Sequence, residues 1–288
     1  MSQLRPMRSL MLTVVLCHLA MADDVKITPD VVYGHKDGMA LTLDVFQPKQ
    51  GANGAGVLFM VSGGWYSHWS PPENSINFFK PLTDKGFTLF AVRHGSSPKF
   101  SIPEAVSDVR RSVRFIRLNA ERFGVDPERL GVYGGSAGGH LSLMLGTASD
   151  AGDPKAKDPV LRTSDRVQAV VAMVPPTDLR IMCWKAPNHL PAYEQFPALD
   201  LDLDAAAECS PLVHVTSDDP PTLLMVGAKD QLVPIKHSQQ IHAAFEQNHV
   251  EDELIVFDDS GHGFQKEDGR QATERLVAWF EKYLGAGS

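Results

Sequence analysis

A mostly parallel β-sheet with helices on both faces is the architecture this sequence predicts, and three observations carry the prediction. Short apolar runs recur along the chain, at residues 57–61, 87–92, 130–133, 167–174, 222–226 and 253–257. They are too short for helices and show no polar alternation, which suits strands buried on both faces of a parallel sheet. Between them lie helical patterns. Val109, Val113, Ile116, Ala120 and Phe123 recur at three- and four-residue steps between Pro103 and Phe123, and Ala272, Leu276, Phe280 and Leu284 do so before Gly285. The third observation is the alternation itself, strand then helix, which places ligands at the carboxyl ends of the strands.

The elements follow in order. Two extended segments, 31–35 and 39–46, flank Lys36-Asp37-Gly38 and read as an antiparallel hairpin at the start of the sheet. The alternating runs come next, interrupted once. Residues 175–211 are long and irregular, with Cys183, Trp184, Pro187 and Pro191, and strands resume on both sides. Loops of this length are usually functional, so a small cap-like insert is expected there.

With 288 residues and 43% hydrophobic content, the chain can bury a full core as one large domain. A formal charge of −8 opposes a nucleic-acid partner, and no mature stretch approaches the ~20 apolar residues of a membrane span. The first 22 residues differ in kind. Arg5 and Arg8 precede an apolar core at 10–19, and Ala20-Met21-Ala22 supplies the small residues of a cleavage site. This reads as a signal peptide cut after Ala22, leaving a secreted or periplasmic domain of residues 23–288. Cys17 departs with it. Cys183 and Cys209 remain as an even pair, expected to form a disulfide, with two free thiols as the alternative. Two cysteines without nearby His spacing do not make a metal site.

The chemistry centres on Gly134-Gly135-Ser136-Ala137-Gly138, directly after the run at 130–133 and before a helical stretch. This is G-x-S-x-G in its required context, a strand turning sharply into a helix so that the serine hydroxyl is exposed. A serine needs a base, and eleven histidines compete. His262, in Ser260-Gly261-His262-Gly263-Phe264, follows the last strand, and its flanking glycines let the ring project towards the sheet top. His140 belongs to packing; His237, His242 and His249 suit a solvated helix face; His94, His189 and His214 stay open. The carboxylate that orients the base is Asp230, just past the run ending at Val226, with Asp178 as competitor. Asp230 gives the order Ser, Asp, His. For the oxyanion, Gly63 and Gly64 of Ser62-Gly63-Gly64-Trp65 and the N–H of Ala137 are the candidate donors. Trp65 is a candidate substrate contact.

Over nearly its whole mature length the chain resembles the α/β-hydrolase superfamily. Within it, the pattern is similar to bacterial carboxylesterases and lipase-like enzymes with an H-G-G-G-W oxyanion loop, including feruloyl and acetyl-xylan esterase-like members. Here that stretch is Val61-Ser62-Gly63-Gly64-Trp65, so Val61 and Ser62 replace the family His and first Gly. The resemblance implies hydrolysis of a small-molecule or polymer-borne ester through an acyl-enzyme on Ser136, with no metal or organic cofactor. Two rivals remain, a secreted prolyl-peptidase-type exopeptidase and a non-catalytic binding protein on the same fold. The first usually carries a large extra domain, and the second usually lacks a triad residue.

Overall fold

The computed structural model describes residues 24–285, so the expected signal peptide and Cys17 lie outside the described residues. In chain order the elements are β1 (Val25–Lys36), β2 (Met39–Pro48), β3 (Gly56–Met60), α1 (Ile76–Thr83), β4 (Thr88–Val92), α2 (Ile102–Leu118) and α3 (Ala120–Phe123). Then come β5 (Leu130–Gly135), α4 (Ala137–Thr147), β6 (Ala169–Met173), α5 (Leu203–Glu208), β7 (Thr222–Gly227), α6 (Lys236–Gln247), β8 (Asp252–Phe257) and α7 (Lys266–Leu284). Among the described residues all eight strands form one sheet, in the order β1-β2-β4-β3-β5-β6-β7-β8. The β1–β2 and β2–β4 pairs are antiparallel and the remaining neighbours parallel. The hairpin turns at Asp37 and Gly38, both with positive φ (48° and 77°), as a tight two-residue connection requires.

The apolar runs lack alternation because both faces of the sheet are covered. Leu58, Phe90, Val170 and Leu224 face a core built with α2, α3, α4 and α6. Their neighbours Val57, Leu89, Val171 and Leu223 face a second core with α1 and α7. The stripe Ala272, Leu276, Phe280 and Leu284 is buried along α7 as its spacing predicts. Gly131 allows that approach, since a Cβ there would lie 2.7 Å from both Phe280 and Leu284. The stripe at 103–123 is one face but two helices. α2 starts on a Ser101/Glu104 capping box and stops at Asn119, whose side-chain amide donates to the Phe115 carbonyl at 2.8 Å. That bond offers the backbone an alternative to continuing the helix.

The irregular segment between β6 and β7 is a chain of short turns packed into the first core. Apart from α5 it consists of 3-10 turns at Leu179–Ile181, Pro191–Gln195, Pro197–Leu199 and Pro211–Val213, three of them opened by proline. Leu179, Met182, Tyr193 and Leu199 are buried with α2 and α4. Cys183 and Cys209 are also buried there, and both are free, so the expected disulfide is not formed. Each thiol packs as a small apolar group, and burial pushes that of Cys209 up to about 12. Among the described residues no helix is long and apolar enough to cross a membrane.

Candidate active site

The site begins at the end of β5. Ser136 follows Gly135 with φ 54° and ψ −122°, a left-handed conformation costly for a side chain bearing a Cβ. It is held from three directions. The Ser136 N–H donates to the Met173 carbonyl at the end of β6 at 2.8 Å, and its own carbonyl accepts from the His140 N–H at 2.9 Å. Beneath it the chain crosses itself, because a Cβ on Gly134 would lie 2.5 Å from the Gly138 backbone. Gly138 in turn lies against β3, where a Cβ would meet the Met60 carbonyl oxygen at 2.6 Å. Ser136 caps the N-terminus of α4, whose first N–H groups have no partner within the helix and favour negative charge.

Three loops meet over this turn. The His262 ring, on the loop between β8 and α7, lies with Nε2 2.9 Å from Ser136 Oγ and Nδ1 2.7 Å from Asp230 Oδ2. The carboxylate only accepts, so Nδ1 carries the proton and Nε2 is free to take the serine hydroxyl's proton. Asp230, just past β7, has a fully buried carboxylate side chain. Its other oxygen accepts from the N–H groups of Leu232 and Val233, each at 2.9 Å. Both carboxylate oxygens are therefore held by hydrogen bonds that fix the group's orientation. The competitor Asp178 is engaged elsewhere, in a two-pronged pair with Arg180 at 2.8 Å on each oxygen.

Several other histidines are committed too. His237 is buried, accepts from the Thr177 N–H at 3.2 Å, and has its pKa lowered by burial to about 4. His242 pairs with Asp252 at 2.6 Å, and His214 meets the Glu208 carbonyl at 2.8 Å. His140 is the informative one. Trp65 Nε1 donates to its Nδ1 at 3.1 Å, and its Nε2 donates to the Cys209 carbonyl at 2.7 Å. Burial lowers its pKa to about 4, so the ring stays neutral and acts as a bridge between α4, the loop after β3 and the inserted segment.

That loop differs from expectation in two places. Gly63 does not present its N–H, which donates to the Tyr66 carbonyl at 3.0 Å while the Tyr66 N–H returns to Gly63 at 3.0 Å. This two-residue clasp turns the chain through Gly64 (φ 56°) and Trp65 (φ 57°). The N–H groups of Gly64, Trp65 and Ala137 have no acceptor among the described residues. Gly64 and Trp65 line a small cavity with Ser136. The second difference is Trp65 itself. Its indole is held by His140, so it anchors the turn, and although only 3% exposed it lines the small cavity beside Ser136. Sequence reasoning also missed His94. Its Nδ1 donates to the Gly95 carbonyl at 2.8 Å, and its Nε2 accepts from the Ser62 hydroxyl at 2.9 Å, which braces the same loop.

An eight-stranded, mostly parallel sheet with a serine elbow after β5 and with Asp and His loops after β7 and β8 defines the α/β-hydrolase fold. The chain belongs to the BD-FAE family, whose profile matches residues 43–245. The dienelactone hydrolase family profile matches residues 207–284. Among curated proteins, the chain is 28% identical over 216 residues to the probable carboxylic ester hydrolase LipM of Mycobacterium tuberculosis, covering 73% of this chain and 49% of that protein. It is 30% identical over 224 residues to esterase LipQ of the same organism, covering 75% and 52%. The chain thus spans about half the length of these relatives. A truncated carbohydrate esterase from gut microbiota superposes with a TM-score of 0.75 at 24% identity, covering 91% of this chain and 98% of that one.

Proposed function

We propose that the chain is an exported serine hydrolase that cleaves carboxylic esters. The observation that carries the reading is the continuous line Asp230–His262–Ser136, with bonds of 2.7 and 2.9 Å, ending at a serine above a helix N-terminus. As Ser136 Oγ attacks the ester carbonyl, His262 Nε2 takes its proton, and Asp230 stabilises the imidazolium. The N–H groups of Ala137, Gly64 and Trp65 receive the oxyanion. When the tetrahedral intermediate collapses, the C–O bond to the alcohol breaks and His262 returns the proton to the leaving oxygen. Water then repeats the sequence on the acyl-enzyme and releases the acid. Related proteins named as esterases support ester over amide substrates. Export rests on Arg5, Arg8 and the Ala20-Met21-Ala22 site, and amino-terminal sequencing of the expressed protein tests it against cleavage after Ala22.

The test of the chemistry is Ser136→Ala on a panel of matched esters and anilides. Wild type hydrolyses the esters, and the variant folds but loses at least about 10³-fold in kcat, because nucleophile and base act as one unit. A variant that keeps a tenth of wild-type turnover removes Ser136 from the mechanism. Faster cleavage of anilides than esters makes the protein a peptidase.

A further inference from the structure

We propose that the segment inserted between β6 and β7 is part of the oxyanion site, and that Phe196 and His140 are the residues through which it positions the donors. A cap would choose among substrates. This insert acts instead on the chemical step of all of them. The proposal rests on the esterase reading above and adds to it what holds the oxyanion turn in place.

The space itself is the first observation. A cavity of about 20 Å³ lies among Gly64, Trp65 and Ser136, together with Pro176, Met182 and Phe196 of the insert. That is room for about one water-sized group, which suits a single carbonyl oxygen and not a substrate chain. The side chains that the insert brings to it are all apolar. They keep water from the oxygen, so each N–H bond to the developing charge is stronger there than in solvent.

Phe196 is the contact with Gly64. It lies between the turns Pro191–Gln195 and Pro197–Leu199. A Cβ on Gly64 would fall 2.7 Å from Phe196 Cδ1 and 2.9 Å from its Cε1. Glycine is thus required at 64 twice over, by its φ of 56° and by the ring against it. The ring stops Gly64 from shifting towards the insert. Both flanking turns are themselves tied down by Trp184, whose Nε1 donates to the Tyr193 carbonyl at 3.0 Å and whose N–H donates to the Leu199 carbonyl at 2.9 Å.

His140 is the contact with Trp65. Cys209 closes α5, and the last carbonyls of a helix have no partner within it. The Cys209 carbonyl accepts from His140 Nε2 at 2.7 Å. A neutral ring with its proton on Nε2 has Nδ1 free to accept, and Trp65 Nε1 donates to it at 3.1 Å. The insert thereby favours the tautomer that can hold Trp65. The end of α5 is fixed in turn by Ser210, whose hydroxyl accepts from the Leu179 N–H at 2.8 Å and donates to the Ala206 carbonyl at 2.7 Å. His140 stands one turn after Ser136, and its N–H donates to the Ser136 carbonyl at 2.9 Å. One helix therefore sets both the nucleophile and the turn that carries the oxyanion donors.

The test measures kcat and KM separately for Phe196→Ala and His140→Ala. The substrates are ethyl acetate, ethyl butanoate and phenyl acetate, which differ in the acyl or the alcohol group. Each variant should lower kcat at least about tenfold, a part of the about 10²–10³-fold that loss of a whole oxyanion donor costs. The factor should agree within about threefold on every ester, with KM within about threefold of wild type, because such donors act in the transition state alone. Phe196→Leu, which keeps an apolar side chain against Gly64, should recover most of the loss. Trp65→Phe, which removes the indole N–H and keeps an aromatic ring, is the second probe of the His140 tie should His140→Ala not fold. Changes in KM that differ from ester to ester, with kcat unmoved, would make the insert a substrate cap and overturn the proposal. Wild-type kcat in Phe196→Ala, or in the variant that cuts the His140 tie, overturns it as well. Failure of the wild type to hydrolyse any ester instead removes the parent reading.

Discussion

Two turns frame the reacting position, and each carries a non-glycine residue in the left-handed region: Ser136 with φ 54° and Trp65 with φ 57°. They are held there by different means. The Ser136 turn is enforced by main chain against main chain, with Gly134 on Gly138, Gly138 on Met60, and the Ser136 N–H on the Met173 carbonyl. The Trp65 turn is tied by side chains from far along the sequence. Trp65 bonds His140, 75 positions away, and Ser62 bonds His94, 32 positions away. Strain over-determined by backbone survives loss of any one side chain, whereas strain tied by side chains is lost bond by bond.

The largest expected effect breaks the first turn. Gly138→Ala places a Cβ where the Met60 carbonyl oxygen now sits at 2.6 Å, and neither backbone segment can yield cheaply. Overpacking of this kind costs about 3 kcal/mol, offset by at most about 1 kcal/mol of better helix propensity in α4. Activity should fall about 10²-fold as the nucleophile moves relative to His262. Chemical denaturation and ester turnover read the two effects. A variant as stable and active as wild type would show that the close approach does not hold the turn.

A second effect, on stability alone, separates the turns by pH. His140 must be neutral to accept the Trp65 N–H, and its pKa is lowered to about 4, against the ordinary imidazole value of about 6.5 in the unfolded chain. The unfolded state therefore binds the extra proton between these values. Stability is fully present above about pH 6.5 and is lost as pH falls towards 4, by about 3 kcal/mol over the window. His237, with its pKa also lowered to about 4, adds a slope of the same sign. Denaturation of wild type and His140→Gln between pH 7 and 4.5 isolates the share of His140. The variant should be less stable at pH 7 yet lose less on acidification. Equal slopes would mean that His140 is not the proton-sensitive tie.

The contrast also explains what the sequence could disclose. Backbone crossings need glycine, so the Ser136 turn is written locally as Gly134-Gly135-Ser136-Ala137-Gly138, and the buried stripe of α7 follows from residue spacing alone. Asp230 and His262 are legible because each follows a strand end in a fixed order. The partners of Trp65 and Ser62 are not legible, because nothing within either segment encodes a histidine from α4 or from the loop after β4. Gly63 was expected to donate to an oxyanion, and only the folded clasp with Tyr66 reveals that its N–H is spent. The insert's turns lacked a sequence signature because short 3-10 turns opened by proline have neither helical nor strand periodicity. Its cysteines looked like a bridge because an even count carries no information about burial.

The smallest expected effect tests the second tie of the Trp65 turn. His94 donates through Nδ1 to the Gly95 carbonyl, so Nε2 has no proton and must accept from Ser62. Burial lowers the His94 pKa, which keeps the ring in this neutral form. Ser62→Ala leaves that nitrogen facing a methyl group, at a cost of about 1 kcal/mol for an unsatisfied, partly buried acceptor. The clasp between Gly63 and Tyr66 and the Trp65–His140 bond remain, so the loop should keep its path but hold it less tightly. Donors aimed at a developing oxyanion matter only in the transition state, so kcat should fall about fivefold while KM stays put. Ser62→Thr, which keeps the hydroxyl, should restore most of the loss. If Ser62→Ala raises KM alone, the Ser62–His94 pair shapes substrate binding and not the oxyanion turn. If it changes neither parameter, the turn is fixed by Trp65 and the clasp without it.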